Sequence, residues 1–181
     1  MKTLLTLSTL ATTALLVSVA PATAARRSAS RASSGRHTLT AYGRYYGDHS
    51  AYTNRPFQKD DIGVGLSYEY REAAGFWQIG LEFCSRPGTR TEGYTLTPFI
   101  NLCFQDRWLF AGLGIRKPYL LDTDDDGWSD LYYNWLLGLE VPLGSRLSLN
   151  VTGIYDFYKW QELDEFKFRD VEASAGLTYR F

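Results

Sequence analysis

The sequence predicts an all-β fold, an eight-stranded antiparallel transmembrane β-barrel, and three observations carry that prediction. Segments of roughly ten residues alternate apolar and polar side chains with period two, the signature of a strand with two unlike faces. The connections between these segments alternate short and long. The apolar face gathers aromatic side chains, while the polar face carries small residues and charges of both signs.

The chain opens with a segment that stands outside the barrel. Lys2 is followed by an apolar run from Leu4 to Ala20 and by Ala22-Thr23-Ala24, a small-x-small pattern. Residues 1–24 are therefore expected to be a secretory signal peptide, cleaved after Ala24. A retained membrane anchor is the competing reading. Against it, the run is short for a spanning helix, its interior carries Thr and Ser, and no stop-transfer charges follow directly.

Residues 25–36, ARRSASRASSGR, hold four arginines among Ser, Ala and Gly. With no apolar periodicity the segment cannot bury enough surface to offset its ordering entropy, so a disordered basic tail on the periplasmic side is expected. A solvated linker is the plainer account of it, and contact with an anionic surface the functional one.

Residues 37–181 are enough for one domain. Setting aside Lys2 and the four tail arginines leaves 14 of the chain's 19 basic residues against 20 acidic ones, a net charge of −6. So acidic a portion argues against nucleic acid as a partner.

The strands follow in order. His37 to Tyr46 is the first and weakest. Ile62, Val64, Leu66, Tyr68 and Tyr70 alternate with Gly63, Gly65, Ser67, Glu69 and Arg71. Trp77, Ile79, Leu81 and Phe83 alternate with Phe76, Gln78, Gly80, Glu82 and Cys84. Tyr94, Leu96, Pro98, Ile100, Leu102 and Phe104 share a face opposite Thr95, Thr97, Phe99, Asn101 and Cys103. Leu109, Ala111, Leu113 and Ile115 oppose Gly112, Gly114 and Arg116. Tyr133, Trp135, Leu137, Leu139 and Val141 oppose Asn134, Gly138 and Glu140. Leu147, Leu149, Val151, Tyr155 and Phe157 oppose Arg146, Ser148, Asn150, Thr152 and Asp156. The last strand sets Val171, Ala173, Ala175, Leu177, Tyr179 and Phe181 against Asp170, Glu172, Ser174, Gly176, Thr178 and Arg180.

Glu72–Gly75, Gln105–Arg107 and Leu143–Ser145 are short connections, whereas 47–60, 85–93, 118–130 and 159–167 are longer. Outer-membrane barrels have short periplasmic turns and long external loops, which puts both ends of this barrel on the periplasmic side. About ten residues at ~3.3 Å each, tilted by roughly 40°, span about 25 Å, the height of the apolar band.

Which face looks outward follows from the charges. Arg44, Glu69, Glu82, Arg116, Glu140, Arg146, Asp156, Glu172 and Arg180 lie on the face rich in Gly, Ser and Thr. Small residues fit a narrow lumen, and opposite charges can pair across it; a water-facing surface would carry more Lys. The aromatics Tyr70, Trp77, Phe83, Tyr94, Phe104, Tyr133, Trp135, Tyr155, Phe157, Tyr179 and Phe181 then point outward, mostly near strand ends, where interfacial girdles belong.

With Leu177, Tyr179 and terminal Phe181 on its outward face, the last strand resembles the signal by which barrel-assembly machinery recognises its clients. In size and topology, residues 37–181 resemble the small-barrel families typified by the membrane domain of outer-membrane protein A. That resemblance implies architecture and an outer-membrane location, with lipid and lipopolysaccharide as surroundings, and it implies no activity.

His37, Ala41-Tyr42, Asp48, Tyr52, Arg55-Pro56-Phe57, Gly65-Leu66-Ser67, Gly75, Trp77, Gly80-Leu81 and Phe83 resemble residues of the lipid A palmitoyltransferase family, also eight-stranded. That family uses a His with an Asp-Ser pair after the third strand for acyl transfer at the external face. The resemblance implies catalytic roles for His37 and Ser85, while Cys84 stands where the Asp would be. His49, in the first long loop, is the alternative general base. Against this chemistry, Arg44, Glu82, Arg116, Asp156, Asp170 and Glu172 fall in the outer half of the lumen, where an acyl chain would need an apolar socket.

Asp122-Thr123-Asp124-Asp125-Asp126-Gly127-Trp128-Ser129-Asp130 has the D-x-D-x-D-G-x-x-D spacing of calcium loops. Asp122, Asp124, Asp126, the Trp128 carbonyl and Asp130 would be the Ca²⁺ ligands. Tyr133 replaces the usual closing acid, and a solvated acidic loop is the competing and more ordinary reading. No other cofactor is expected. Cys84 falls near the external end of its strand and Cys103 near a periplasmic turn, several steps of ~3.3 Å apart, so two free thiols are expected.

Three functions remain, in this order. The first is a non-enzymatic membrane protein serving envelope integrity or surface binding through its external loops. The second is an acyltransferase acting on outer-leaflet lipid A, and the third a narrow solute channel. Eight strands leave room for side chains to fill the interior, which excludes a wide porin.

Overall fold

The computed structural model describes residues 36–47, 61–85, 93–121 and 127–181. The signal peptide, the tail up to Gly35, and His49 lie outside the described residues.

The strands are β1 (His37–Tyr45), β2 (Ile62–Arg71), β3 (Gly75–Ser85), β4 (Tyr94–Asp106), β5 (Leu109–Arg116), β6 (Tyr119–Leu121), β7 (Gly127–Trp128), β8 (Tyr132–Pro142), β9 (Leu147–Phe157) and β10 (Glu172–Arg180). Antiparallel pairing runs β3-β2-β1-β10-β9-β8-β5-β4, and β3 pairs with β4 to close the barrel. Eight strands thus form the wall and no barrel strand has a free edge. The first and last strands meet, Thr38 opposite Arg180, and the Phe181 amide donates to the His37 carbonyl at 3.2 Å. Both ends of the barrel therefore sit with the short turns. The short β6–β7 hairpin continues the wall outward, β6 pairing with β4 (Tyr94 opposite Leu121), in what the sequence presented as plain loop.

Register sets every side chain's face. In β2 and β3, Val64 lies opposite Phe83, Leu66 opposite Leu81 and Tyr68 opposite Ile79, all outward and exposed. Ser67, Glu69 and Glu82, one residue out of phase, are buried in the lumen. Slipping any strand by one residue would reverse this arrangement, so the apolar pattern strongly specifies the register. Leu109, Leu113, Trp135, Leu137, Leu139, Leu177 and Tyr179 continue the outward belt around the barrel. So broad a contiguous apolar surface is tolerated in hydrocarbon and causes association in water.

Two inward glycines make room for rings across the strand pair. Gly80 lies opposite Phe99, and Gly138 opposite Phe110; a Cβ on either would come within 2.3 Å of the facing ring. At the turn between β4 and β5 only Arg107 and Trp108 separate the paired Asp106 and Leu109, and Arg107 takes φ 54°. That left-handed conformation is one Gly adopts without a Cβ penalty.

Two outward aromatics depart from expectation. Tyr155 and Phe157 occupy the outward face of β9, opposite Trp135 and Tyr133, yet they are only 4% and 0% exposed. The segment after β9 covers them. It forms 3-10 turns at Trp160–Glu165 and Phe168–Asp170 and folds back on the wall. Trp160 packs 5.1 Å from the Phe157 ring, and Phe166 packs 4.8 Å from the Tyr155 ring.

Candidate functional site

Among the described residues, the lumen brings chemistry-bearing side chains from many strands together, and it is built in layers. At the loop end Arg44 (β1) donates Nη2 to Asp156 Oδ2 (β9) at 2.7 Å and Nε to Glu172 Oε2 (β10) at 2.6 Å. Arg116 (β5) donates Nη1 to the same Asp156 oxygen at 3.0 Å and Nη2 to Glu82 Oε1 (β3) at 2.5 Å. Tyr46 and Tyr42 both donate to Glu82, the latter at 3.1 Å. All five charged side chains are buried. In a low-dielectric interior such charges persist only when paired and hydrogen-bonded, and each of the five has at least one partner of opposite charge here.

At the turn end Glu69 accepts from Thr38 at 2.8 Å, Thr40 at 3.1 Å and Arg71 Nε at 2.9 Å. Arg71 also donates to Glu140 at 2.6 Å, and Arg180 and Gln105 donate to the same carboxylate. Arg71 was not among the lumen charges expected to form the network, although it lies on the polar side of the β2 alternation. Arg146 was among them and lies outside: it is exposed, in the turn before β9, with Nη1 3.4 Å from the Tyr179 hydroxyl. The strand begins at Leu147, so alternation no longer governs where residue 146 points. Eight of the nine expected residues thus fall into two separate clusters.

Between the clusters lies a layer the sequence reading missed. Phe76, Cys103, Phe110 and Leu136 form a buried apolar group with Ile154 packed against it. These residues share the parity of the polar face, which was the available signal. A cavity of about 60 Å³ adjoins them and touches Arg44, Glu82 and Arg116 on one side and Glu69 on the other. Asn134 Oδ1 and Asn150 Oδ1, on residues that line it, lack a protein partner, so the space suits a few water molecules.

His37 and Ser85, to which the acyltransferase resemblance gives catalytic roles, do not come together. His37 is exposed at the turn end, its Nδ1 2.5 Å from the Tyr68 hydroxyl and its ring stacked 6.4 Å from Phe181. It lies opposite Tyr70, which lies opposite Trp77, and Ser85 is eight positions further along β3. At ~3.3 Å per residue, His37 and Ser85 are roughly 26 Å apart. Ser85 Oγ and Cys84 Sγ instead both donate to Asp61 Oδ2, at 3.3 and 3.2 Å. His49 lies outside the described residues.

Of the calcium-loop residues, Asp122, Asp124 and Asp126 lie outside the described residues. Trp128 is in β7, its ring edge-on to Tyr119 at 5.0 Å, and Asp130 is exposed. Among the described residues no group of three or more His, Cys, Asp or Glu is placed to hold a metal. Cys84 and Cys103 are free and buried. They lie opposite Thr95 and Phe76 respectively, at different heights of the same hairpin.

No family model matches the chain, and no curated protein matches it. Solved structures do. A de novo designed transmembrane β-barrel is 11% identical with a TM-score of 0.50 over 82% of this chain and 97% of that one. The N-terminal β-barrel domain of OprF from Pseudomonas aeruginosa is 12% identical with a TM-score of 0.50 over 82% of this chain and 99% of that one. Ail, the attachment invasion locus protein of Yersinia pestis, is 14% identical with a TM-score of 0.45 over 82% and 99%. At 11% and 12% identity the likeness is one of fold. The chain has the architecture of the small eight-stranded transmembrane β-barrels.

Proposed function

We propose that this chain is an integral outer-membrane protein whose barrel is a sealed scaffold and whose external loops act in surface binding and envelope integrity, with no catalytic centre. The fold likeness to the OprF barrel domain supports the location. So do the signal-peptide pattern and the outward Leu177, Tyr179 and Phe181 of the last strand, suited to the barrel-assembly machinery. Outer-membrane lipid and lipopolysaccharide are the surroundings the outward belt fits.

One observation carries the sealed-scaffold reading. The Asp156 carboxylate is held at once by Arg44 and Arg116, so the lumen is crosslinked by buried charge from β1 to β9 to β5. A permeation path through it would have to break pairs of desolvated ions. An acyl chain entering from the loop end would meet the same charges.

Two measurements, one on the refolded protein and one on cells, test the reading. Planar bilayers should show no steady conductance, and lipid A from cells with and without the protein should give the same mass spectrum. Conductance would replace the scaffold with a channel, and an added acyl chain would replace it with an acyltransferase.

A further inference from the structure

The segment that follows β9 is spelled as an external loop, but its aromatics are not placed as a loop's would be. Trp160 packs against the outward pair formed by Phe157 and Tyr133, edge-on to the first at 5.1 Å and tilted to the second at 5.4 Å. Phe166 packs on Tyr155, which is paired with Trp135 and sits one outward rung further from the loop end. Val171 comes lower still, its Cγ1 3.2 Å from where a Cβ on Gly153 would lie, and Gly153 is the next outward position of β9. The chain therefore descends the outside of the wall rung by rung before entering β10.

Depth follows from the partner strand. Trp135 and Leu137 are exposed on the belt at the rungs of Tyr155 and Gly153, and Trp135 is 43% exposed. A segment lying over Tyr155 is level with them. Its exposed side presents three rings, Trp160, Phe166 and Phe168, the last 83% exposed, with Gln161 and Asp164 among the polar groups between them. Cations alternate with these rings, Lys159 before Trp160, then Lys167 and Arg169 around Phe168, and Lys159 Nζ lies 5.4 Å from the Tyr158 ring. Aromatic rings interleaved with snorkelling cations characterise the headgroup boundary of a bilayer.

We propose that residues 158–170 form a membrane-seated latch, lying on the lipid-facing wall with Trp160, Phe166 and Phe168 in the interfacial zone of the outer leaflet. The occupant of its exposed face is a lipid surface, because that face continues the belt formed by Tyr133, Trp135 and Leu137. The inference rests on the membrane reading of the barrel. Its consequence is that this connection is withdrawn from the medium, leaving partner contact to the three other external loops.

Fluorescence in vesicles tests it. Two variants of the full chain, with all tryptophans but one replaced by Phe, retain Trp135 alone or Trp160 alone. Each is refolded into phosphatidylcholine vesicles with and without lipid brominated near the top of the acyl chain. The latch requires Trp160 to lose emission to brominated lipid as fully as Trp135 does, and to resist aqueous iodide. Quenching of Trp135 together with iodide access to Trp160 overturns the latch and leaves the barrel in the membrane. If neither tryptophan responds to brominated lipid, the membrane reading fails and the latch with it. A Phe168→Cys variant carrying a bimane label gives a second measurement if the Trp160 variant does not fold. Phe168 contributes little packing, and the native cysteines are buried from reagent. Its label should be quenched by brominated lipid, and quenching by iodide alone would overturn the proposal.

Discussion

Asp156 and Arg44, 112 positions apart in the chain, meet inside the barrel with 2.7 Å between Oδ2 and Nη2. The same oxygen accepts from Arg116 at 3.0 Å, so one carboxylate ties β9 to both β1 and β5. Arg44 also donates to Glu172, and Arg116 to Glu82. Removing the shared carboxylate takes one anionic partner from each of two buried guanidinium groups.

Asp156→Ala is therefore expected to destabilise the barrel by about 3 kcal/mol, at the lower end of the range for breaking a buried ion pair because Glu172 and Glu82 remain. Urea unfolding in lipid vesicles measures this. A loss below about 1 kcal/mol would mean that water reaches the cluster, as at an exposed pair.

Gly138 and Phe110 should behave as one unit. Gly138→Ala puts a methyl group 2.3 Å from the Phe110 ring and should cost about 1–3 kcal/mol through overpacking. Phe110→Leu frees that space at its own packing cost, and the double variant should be more stable than the sum of the singles by at least about 0.5 kcal/mol. Additive effects would show that the ring does not lie over the glycine.

Arg107→Gly should stabilise the protein by about 1 kcal/mol, because the turn already demands the left-handed backbone that an L side chain adopts at a cost. The shift in unfolding midpoint checks it. A destabilisation would point to a role for the Arg107 side chain that the backbone does not reveal.

Cys84 and Cys103 should both resist a water-soluble maleimide in the folded barrel and react once the chain is unfolded, with no disulfide at any stage. Cys84 pairs with Thr95 and Cys103 with Phe76 on the β3–β4 hairpin, so the two thiols lie eight residue steps apart along β3. At ~3.3 Å per step that separation is roughly 26 Å, beyond the ~7 Å Cα limit for a bridge. A non-reduced peptide linking them would require a different register.

The strand positions were legible in the sequence because one face of each strand meets an environment unlike the other. Ile62 to Arg71 could be assigned residue by residue, since a slip would place Glu69 in the belt and Tyr68 in the lumen. The lumen charges were legible for the same reason. Arg146 was misassigned because alternation ends where the strand does, and its backbone belongs to a turn. The apolar layer of Phe76, Phe110, Leu136 and Ile154 was missed because apolar residues on the polar face read as noise until facing strands bring them together.

By itself the sequence determined a β-barrel with apolar side chains outside and charges within, because period-two patterning is a local property of each strand. Which charges pair was decided only by closure of the barrel: Arg44, Arg116 and Asp156 become neighbours through strand order and stagger, which no single segment encodes. The descent of Trp160 and Phe166 over Tyr155 and Phe157 belongs to the same class. A loop's composition says that its rings need an apolar neighbour, and only the folded wall supplies the neighbour they take.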